Sequence, residues 1–267
     1  MKKNLFLVGC GKLGSSLLDY WQNMDDINNI YIIDPYCADN CKLMYNSGKT
    51  IFVNNLDELD VTPDVIIFSV KPQLFSQVVG DYKKFSENKN IIISSVMAGI
   101  SSKVLKDYFP SNPILRVMPN IGAKFGASAT AGFKDESLSE ANVEFANNLY
   151  SKIGKFIWLE DEELINVATA IAGSGPAYFF NLAEEMVKAG MENGLSKDLS
   201  SILVSQTLMG SALLLEENND AEELREKVTS KKGTTEAALS ILMPENAKNV
   251  PIAIKKAVLR AVELEKS

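Results

Sequence analysis

The stretch Leu5-Phe6-Leu7-Val8-Gly9-Cys10-Gly11-Lys12-Leu13-Gly14 decides the fold: an apolar run of strand length enters G-x-G-x-x-G, and a helical pattern follows. Gly9 lets the chain turn sharply out of the strand, Gly11 removes the side chain that would block a pyrophosphate, and Gly14 lets helix and strand approach. Free N–H groups and the positive end of the helix dipole then face the phosphates. The motif alone also describes a plain glycine turn in a β-α unit, so context decides between the two. Asn29-Ile30-Tyr31-Ile32-Ile33-Asp34 supplies that context. It is a second strand ending in a carboxylate about 20 residues past the last glycine, where an acid that reads a ribose belongs.

Working outward, short β-rich runs recur at Thr50 to Val53, Asp64 to Val70 and Ile91 to Val96, separated by helical or turn segments. This alternation predicts a parallel sheet covered on both faces. Runs at Ile114 to Met118, Ala127 to Phe133 and Lys155 to Leu159 extend it, the last after a helix from Ser139 to Ile153. A first domain over 1–160 follows. From Asp161 the pattern changes: Phe179, Leu182, Ala183, Met186 and Val187 lie at i, i+3, i+4, i+7 and i+8, and Ile254, Ala257, Val258, Ala261 and Val262 repeat the spacing. The second domain, 161–267, is therefore all-α. Ile202 to Leu215 is apolar on more than one face, which predicts an oligomer interface; a tightly wrapped monomeric core is the alternative. The fold class is α/β, a Rossmann-like dinucleotide-binding domain followed by helices.

The chain of 267 residues is long enough for two such domains. Its 46% hydrophobic and 23% charged residues are ordinary for a globular protein, and the net charge of −7 argues against a nucleic-acid partner. Cys10, Cys37 and Cys41 form no C-x-x-C pair, and with no histidine in the chain a metal site is not expected. Lack of histidine also excludes a Ser-His-Asp or Cys-His engine. What remains is chemistry that a cofactor performs, hydride transfer above all. Met1-Lys2-Lys3 before an apolar run superficially resembles a lipoprotein signal, but that run is shorter than the roughly 7 residues such a signal needs. No apolar run is expected to reach the ~20 residues of a membrane span, so the expected partners include no membrane and the expected location is cytoplasmic.

Four further segments offer chemistry. Ser69-Val70-Lys71-Pro72-Gln73 ends the fourth strand, where ligands of open parallel sheets bind; Lys71 either borders a nicotinamide ribose or is a solvated loop lysine. Arg116-Val117-Met118-Pro119-Asn120 reads as a second rim of the same crevice, with Asn120 offering a donor and an acceptor to a cofactor amide. Ala172-Gly173-Ser174-Gly175-Pro176-Ala177-Tyr178 reads as a helix start, with a serine able to cap it and amides ready for a carboxylate. Thr229-Ser230-Lys231-Lys232-Gly233-Thr234-Thr235 is either a capping loop or a second anion cradle. Glu216-Glu217-Asn218-Asn219-Asp220 reads as a solvated helix end and loop.

In this order, G-C-G-x-x-G, V-K-P-Q, R-x-M-P-N, G-S-G-P-A-Y and V-T-S-x-x-G-T-T resemble pyrroline-5-carboxylate reductases over essentially the whole chain. The resemblance implies a Rossmann domain, a helical dimerisation domain, NADPH or NADH as cofactor, and a homodimer or a higher oligomer of dimers. It also implies an active site between a Rossmann domain and helices of both subunits, where pyrroline-5-carboxylate, the small-molecule substrate, is reduced to L-proline. By motif, Gly9, Gly11, Lys12, Leu13 and Gly14 hold the pyrophosphate. Ser69, Val70, Lys71, Pro72 and Asn120 border ribose and nicotinamide, and Asp34 reads the adenosine ribose. Ser230, Gly233, Thr234 and Thr235 grip the substrate carboxylate, Thr235 hydrogen-bonds the ring nitrogen, and Ser174, Gly175 and Pro176 wall the ring.

Two segments depart from the family pattern. M-P-N-T-P-A is Met118-Pro119-Asn120-Ile121-Gly122-Ala123 here, which loses a φ-fixing proline and predicts a looser rim. S-P-G-G-T-T is Ser230-Lys231-Lys232-Gly233-Thr234-Thr235, which adds charge and removes a glycine's freedom to take positive φ. These departures leave open a reductase of another imino acid, or a non-catalytic dinucleotide-binding regulator on the same fold. A β-hydroxyacid enzyme would want a helix-borne lysine near Gly173 to Tyr178, and none stands there.

Overall fold

The computed structural model describes residues 2–37, 44–45 and 48–265; Met1 and Cys41, both considered above, lie outside them. The chain divides into two packed units, Met1–Ser174 with Val258–Ser267, and Gly175–Ala257, so the packing division falls later in the chain than Glu160.

The first unit is built on an eight-stranded sheet in the order β3-β2-β1-β4-β5-β6-β7-β8. Its strands are β1 (Lys3–Val8), β2 (Ile27–Ile33), β3 (Thr50–Val53), β4 (Val65–Phe68), β5 (Ile92–Ser95), β6 (Ile114–Met118), β7 (Ser128–Lys134) and β8 (Gly154–Trp158). Side chains of β1 alternate between two cores. Leu5 and Leu7 pack with Leu17, Trp21 and Tyr150 on one face; Phe6 and Val8 pack with Phe68, Phe75 and Phe109 on the other. Both faces being covered, the central strands are continuously apolar rather than alternating. The polar ends of the aromatics are satisfied where they are buried: Trp21 Nε1 donates to Leu149 O at 2.9 Å, and Tyr150 shares a 2.9 Å hydrogen bond with Ser94 Oγ.

The pairs from β3 through to β6 are parallel, as expected, but β6 and β7 run antiparallel. The reason is length. Only residues 119–127 connect them, and a parallel crossover takes a dozen or more. The helix Glu140–Ser151 supplies such a crossover to β8, which is parallel to β7. Strand order reverses between β2-β1 and β4, placing a ligand crevice at the carboxyl ends of β1 and β4.

The second unit contains α-helices Gly175–Glu192 and Lys197–Asn218, the short helix Ala221–Lys227, and the first part of Thr234–Glu265. Ser196 Oγ caps the second of these from Leu199 N, Asn219 ends it in the left-handed region, and Asp220 caps the third, as the loop reading of 216–220 expects. The stripe at Phe179, Leu182 and Met186 is present but faces out, with Phe179 57% exposed; Ile202 is 63% exposed and Leu203 55%. The sequence expectation about membrane spans needs correction: Lys197–Asn218 has the length and apolarity of a span by composition alone. Its serines, threonine and glutamine are spread among the leucines, which kept it from reading as one apolar run.

Candidate active site

The glycine turn has three different environments. Gly9 sits at φ +90°, and a Cβ there would lie 2.8 Å from Val70 Cγ1 and 3.0 Å from the Ser69 backbone. At Gly14 a Cβ would lie 2.8 Å from Gly9 O, whereas at Gly11 nothing stands within 4 Å. The first and third positions are thus closed by the protein's own packing, and the middle one opens a cradle of the kind a pyrophosphate fills. The helix Lys12–Trp21 begins there with Gly11 as N-cap, without a side-chain cap and without an acid in its first turn. Its first amides therefore lack intrahelical acceptors and face the cradle with the positive end of the dipole. These residues fit a dinucleotide.

Around the cradle, Gly9 N donates to Ile33 O at 3.0 Å, Cys10 N to Asp34 Oδ2 at 2.7 Å, and Tyr36 N to Asp34 Oδ1 at 2.8 Å. Asp34 therefore faces the glycine loop. On the other side Ser69 N donates to Val8 O at 2.8 Å, while its buried Oγ has no hydrogen-bond partner among the described residues. Pro72 opens a 3-10 turn, Pro72–Leu74, closed by Leu74 N on Lys71 O at 2.8 Å; Lys71 itself is exposed.

The second rim is held more tightly than its sequence suggests. Asn120 Oδ1 accepts from Gly122 N at 2.9 Å, Asn120 Nδ2 donates to Ala172 O at 3.0 Å, and Ala127 N donates to Gly122 O at 3.0 Å. The expectation of a looser rim is corrected accordingly: hydrogen bonds replace what the missing proline would fix. Half of the Asn120 side-chain amide is already spent on the protein, which leaves one N–H and one lone pair for a ligand.

Arg116, quoted in the motif without a role, is buried among carboxylates. Its Nη1 lies 2.7 Å from Glu162 Oε1, and its Nη2 lies 2.8 Å from Glu265 Oε1, an ion pair without hydrogen-bond geometry. Glu162 also accepts from Ser102 N at 2.6 Å and from the Ser102 hydroxyl, and Asn166 Nδ2 donates to Glu265 Oε2 at 3.0 Å. This cluster ties β6, two residues before Asn120, to the last turn of Thr234–Glu265. An arginine in an otherwise apolar strand was the one sequence signal for it.

Ser174 corrects another expectation. The long helix does start here, at Gly175 with Pro176 in its first turn, but it follows directly on Leu164–Ala168 and a π-helical turn, Thr169–Gly173, and Ser174 N donates to Thr169 O at 2.8 Å. The Ser174 amide is therefore occupied, and Gly175 and Pro176 open Gly175–Glu192.

In the second unit, Gly233 N donates to Ser230 O at 3.0 Å, and a Cβ on Gly233 would collide with the Ser230 hydroxyl. Lys232 takes φ +59° and donates its N–H to Glu236 Oε2 at 2.6 Å. The left-handed turn that a glycine was expected to provide is therefore kept, with a lysine in it. Thr234 and Thr235 open the helix, so their amides lack intrahelical acceptors; Thr234 is exposed and Thr235 half-buried.

Residues 162–266 match the family described as pyrroline-5-carboxylate reductase dimerisation, and residues 4–99 match one described as NADP oxidoreductase, coenzyme F420-dependent. The first match includes the exposed apolar helix Lys197–Asn218. The chain is 31% identical to the pyrroline-5-carboxylate reductase of Pasteurella multocida, over 99% of this chain and 98% of the relative. Its structure is similar to that of a pyrroline-5-carboxylate reductase from Coxiella burnetii, with TM-score 0.90 and 26% identity over the full length of both. It is also similar to the pyrroline carboxylate reductase of Plasmodium falciparum, solved with NADP bound, with TM-score 0.84 and 25% identity over 98% of each chain. On this likeness, sustained over nearly its whole length, the chain belongs to the pyrroline-5-carboxylate reductase family.

Proposed function

We propose that this chain is an NAD(P)H-dependent reductase of pyrroline-5-carboxylate, forming L-proline as the last step of proline synthesis. The observation that carries the reading is the cradle at Gly9, Gly11 and Gly14, closed at two positions and open at the third, in a chain so similar to such reductases.

Gly9, Gly11, Lys12, Leu13 and Gly14 would hold the pyrophosphate, Asp34 the adenosine ribose, and Ser69, Val70, Lys71, Pro72 and Asn120 the nicotinamide half. The reduced nicotinamide supplies hydride when bound. Ser230, Gly233, Thr234 and Thr235 fix the substrate carboxylate through hydroxyls and helix-start amides. Thr235 Oγ1 hydrogen-bonds the ring nitrogen, which ends as the amine, and Ser174, Gly175 and Pro176 wall the ring. A protonated cyclic imine is already electrophilic, so this set positions rather than activates. Holding the reacting carbons in line is worth on the order of 7–11 kcal/mol.

The functional division at 160/161, between a nucleotide half and a dimerising, substrate-gripping half, belongs to the same proposal, as do a homodimer and a cytoplasmic location. The apolar faces exposed at Phe179, Ile202 and Leu203 support pairing with a second copy. The test is turnover: purified protein, pyrroline-5-carboxylate and each reduced coenzyme, with loss of nicotinamide absorbance and chemical identification of L-proline. Proline formed in proportion to coenzyme consumed is the expected result. Binding of dinucleotide without turnover would refute it and favour the regulator.

A further inference from the structure

Asp34 stands just past β2, whose end is pinned to the glycine turn by the Gly9 N–Ile33 O bond. Its carboxylate does not swing free. Oδ2 accepts from Cys10 N, inside the glycine loop, at 2.7 Å, and Oδ1 accepts from Tyr36 N at 2.8 Å. Two backbone donors thus aim the group at the mouth of the cradle that Gly11 leaves open.

A carboxylate has about four acceptor sites and no donor, so two remain for ligand hydroxyls after the two amides are counted. A ribose 2′-hydroxyl donates to such a group. A 2′-phosphate has only acceptors and carries negative charge, so it meets Asp34 with repulsion and without a hydrogen bond. Among the described residues no lysine or arginine forms an ion pair with Asp34 that would offset this.

We infer that Asp34, locked by the Cys10 and Tyr36 amides, makes this chain select NADH over NADPH. The inference rests on reading the cradle as a nicotinamide coenzyme site, and it goes against the phosphorylated coenzyme seen in the Plasmodium falciparum structure. Contact between like charges near a protein surface changes affinity by about tenfold or more.

The test is equilibrium binding to the full-length protein, followed by coenzyme fluorescence for NADH and NADPH and by calorimetry for 5′-AMP and adenosine 2′,5′-bisphosphate. NADH should bind at least about tenfold more tightly than NADPH, and the monophosphate more tightly than the bisphosphate. Asp34→Asn should bring each pair to near equality, mainly by improving the phosphorylated member. Equal or tighter binding of the phosphorylated member by the unaltered chain overturns the inference. So does an Asp34→Asn protein that folds and keeps the original ratios. Because the unaltered chain is measured directly, a variant that fails to fold leaves the first comparison decisive. Imine turnover with a preference for NADPH would overturn this inference and leave the reductase reading intact; selective NADH binding without imine turnover would do the reverse.

Discussion

The two units of this chain handle their exposed chemistry differently. In the first, strands buried on both faces fix the glycine turn, and the buried Arg116 cluster fixes the second rim, so the nucleotide cradle is complete within one chain. In the second, helices Gly175–Glu192 and Lys197–Asn218 leave Phe179, Phe180, Ile202 and Leu203 more than half exposed. An exposed apolar surface of that kind marks an interaction site, and the match to a dimerisation family falls on these helices. Under the proposed function, the difference assigns dinucleotide binding to the single chain and makes catalysis wait on pairing.

The largest effect that would break this contrast lies at Arg116. Arg116→Ala leaves Glu162 and Glu265 without their cation and should cost about 3–5 kcal/mol in denaturant unfolding. A loss under about 1 kcal/mol would mean that the carboxylates are well solvated and the rim is not held from within.

Gly14→Ala presses a methyl group to 2.8 Å from Gly9 O. It should destabilise by roughly 1–3 kcal/mol and weaken both coenzymes, which calorimetry would read. Unchanged coenzyme affinity would show that the turn has slack. Thr235→Ala sharpens the contrast from the other side. The chemical rate should fall by roughly 1–3 kcal/mol of lost stabilisation, with dinucleotide affinity nearly unchanged. Unaltered single-turnover rates would remove Thr235 from the reaction.

The smallest effect is expected at Lys232, which holds φ +59°. Lys232→Gly relieves that strain against a more flexible unfolded chain, so a gain of at most about 1 kcal/mol in thermal unfolding is expected. A loss would show that the lysine side chain makes contributions beyond the turn.

What was legible in the sequence was local. The strand at Ile114–Met118 ends where its pattern ends, and the roles of the three glycines follow from spacing alone. What was not legible depended on distant partners. Arg116 could be read as unusual in an apolar strand, but its carboxylates come from positions 162 and 265 and are joined only by folding. The Ser174 amide looked free for an anion because a helix start follows it, yet the preceding π turn uses that amide. Asn120 looked wholly available to a ligand, but the Gly122 amide and the Ala172 carbonyl take one acceptor and one donor site of its side chain.

One measurement tests the division of labour most directly. Leu203→Asp places a charge on an exposed apolar face of Lys197–Asn218 and leaves every residue assigned to the nucleotide cradle unchanged. Molar mass in solution, NADH affinity and imine turnover are then followed on the same sample. The account predicts a folded monomer that binds NADH as the unaltered protein does and turns over little or no pyrroline-5-carboxylate. A monomer with full turnover would contradict it.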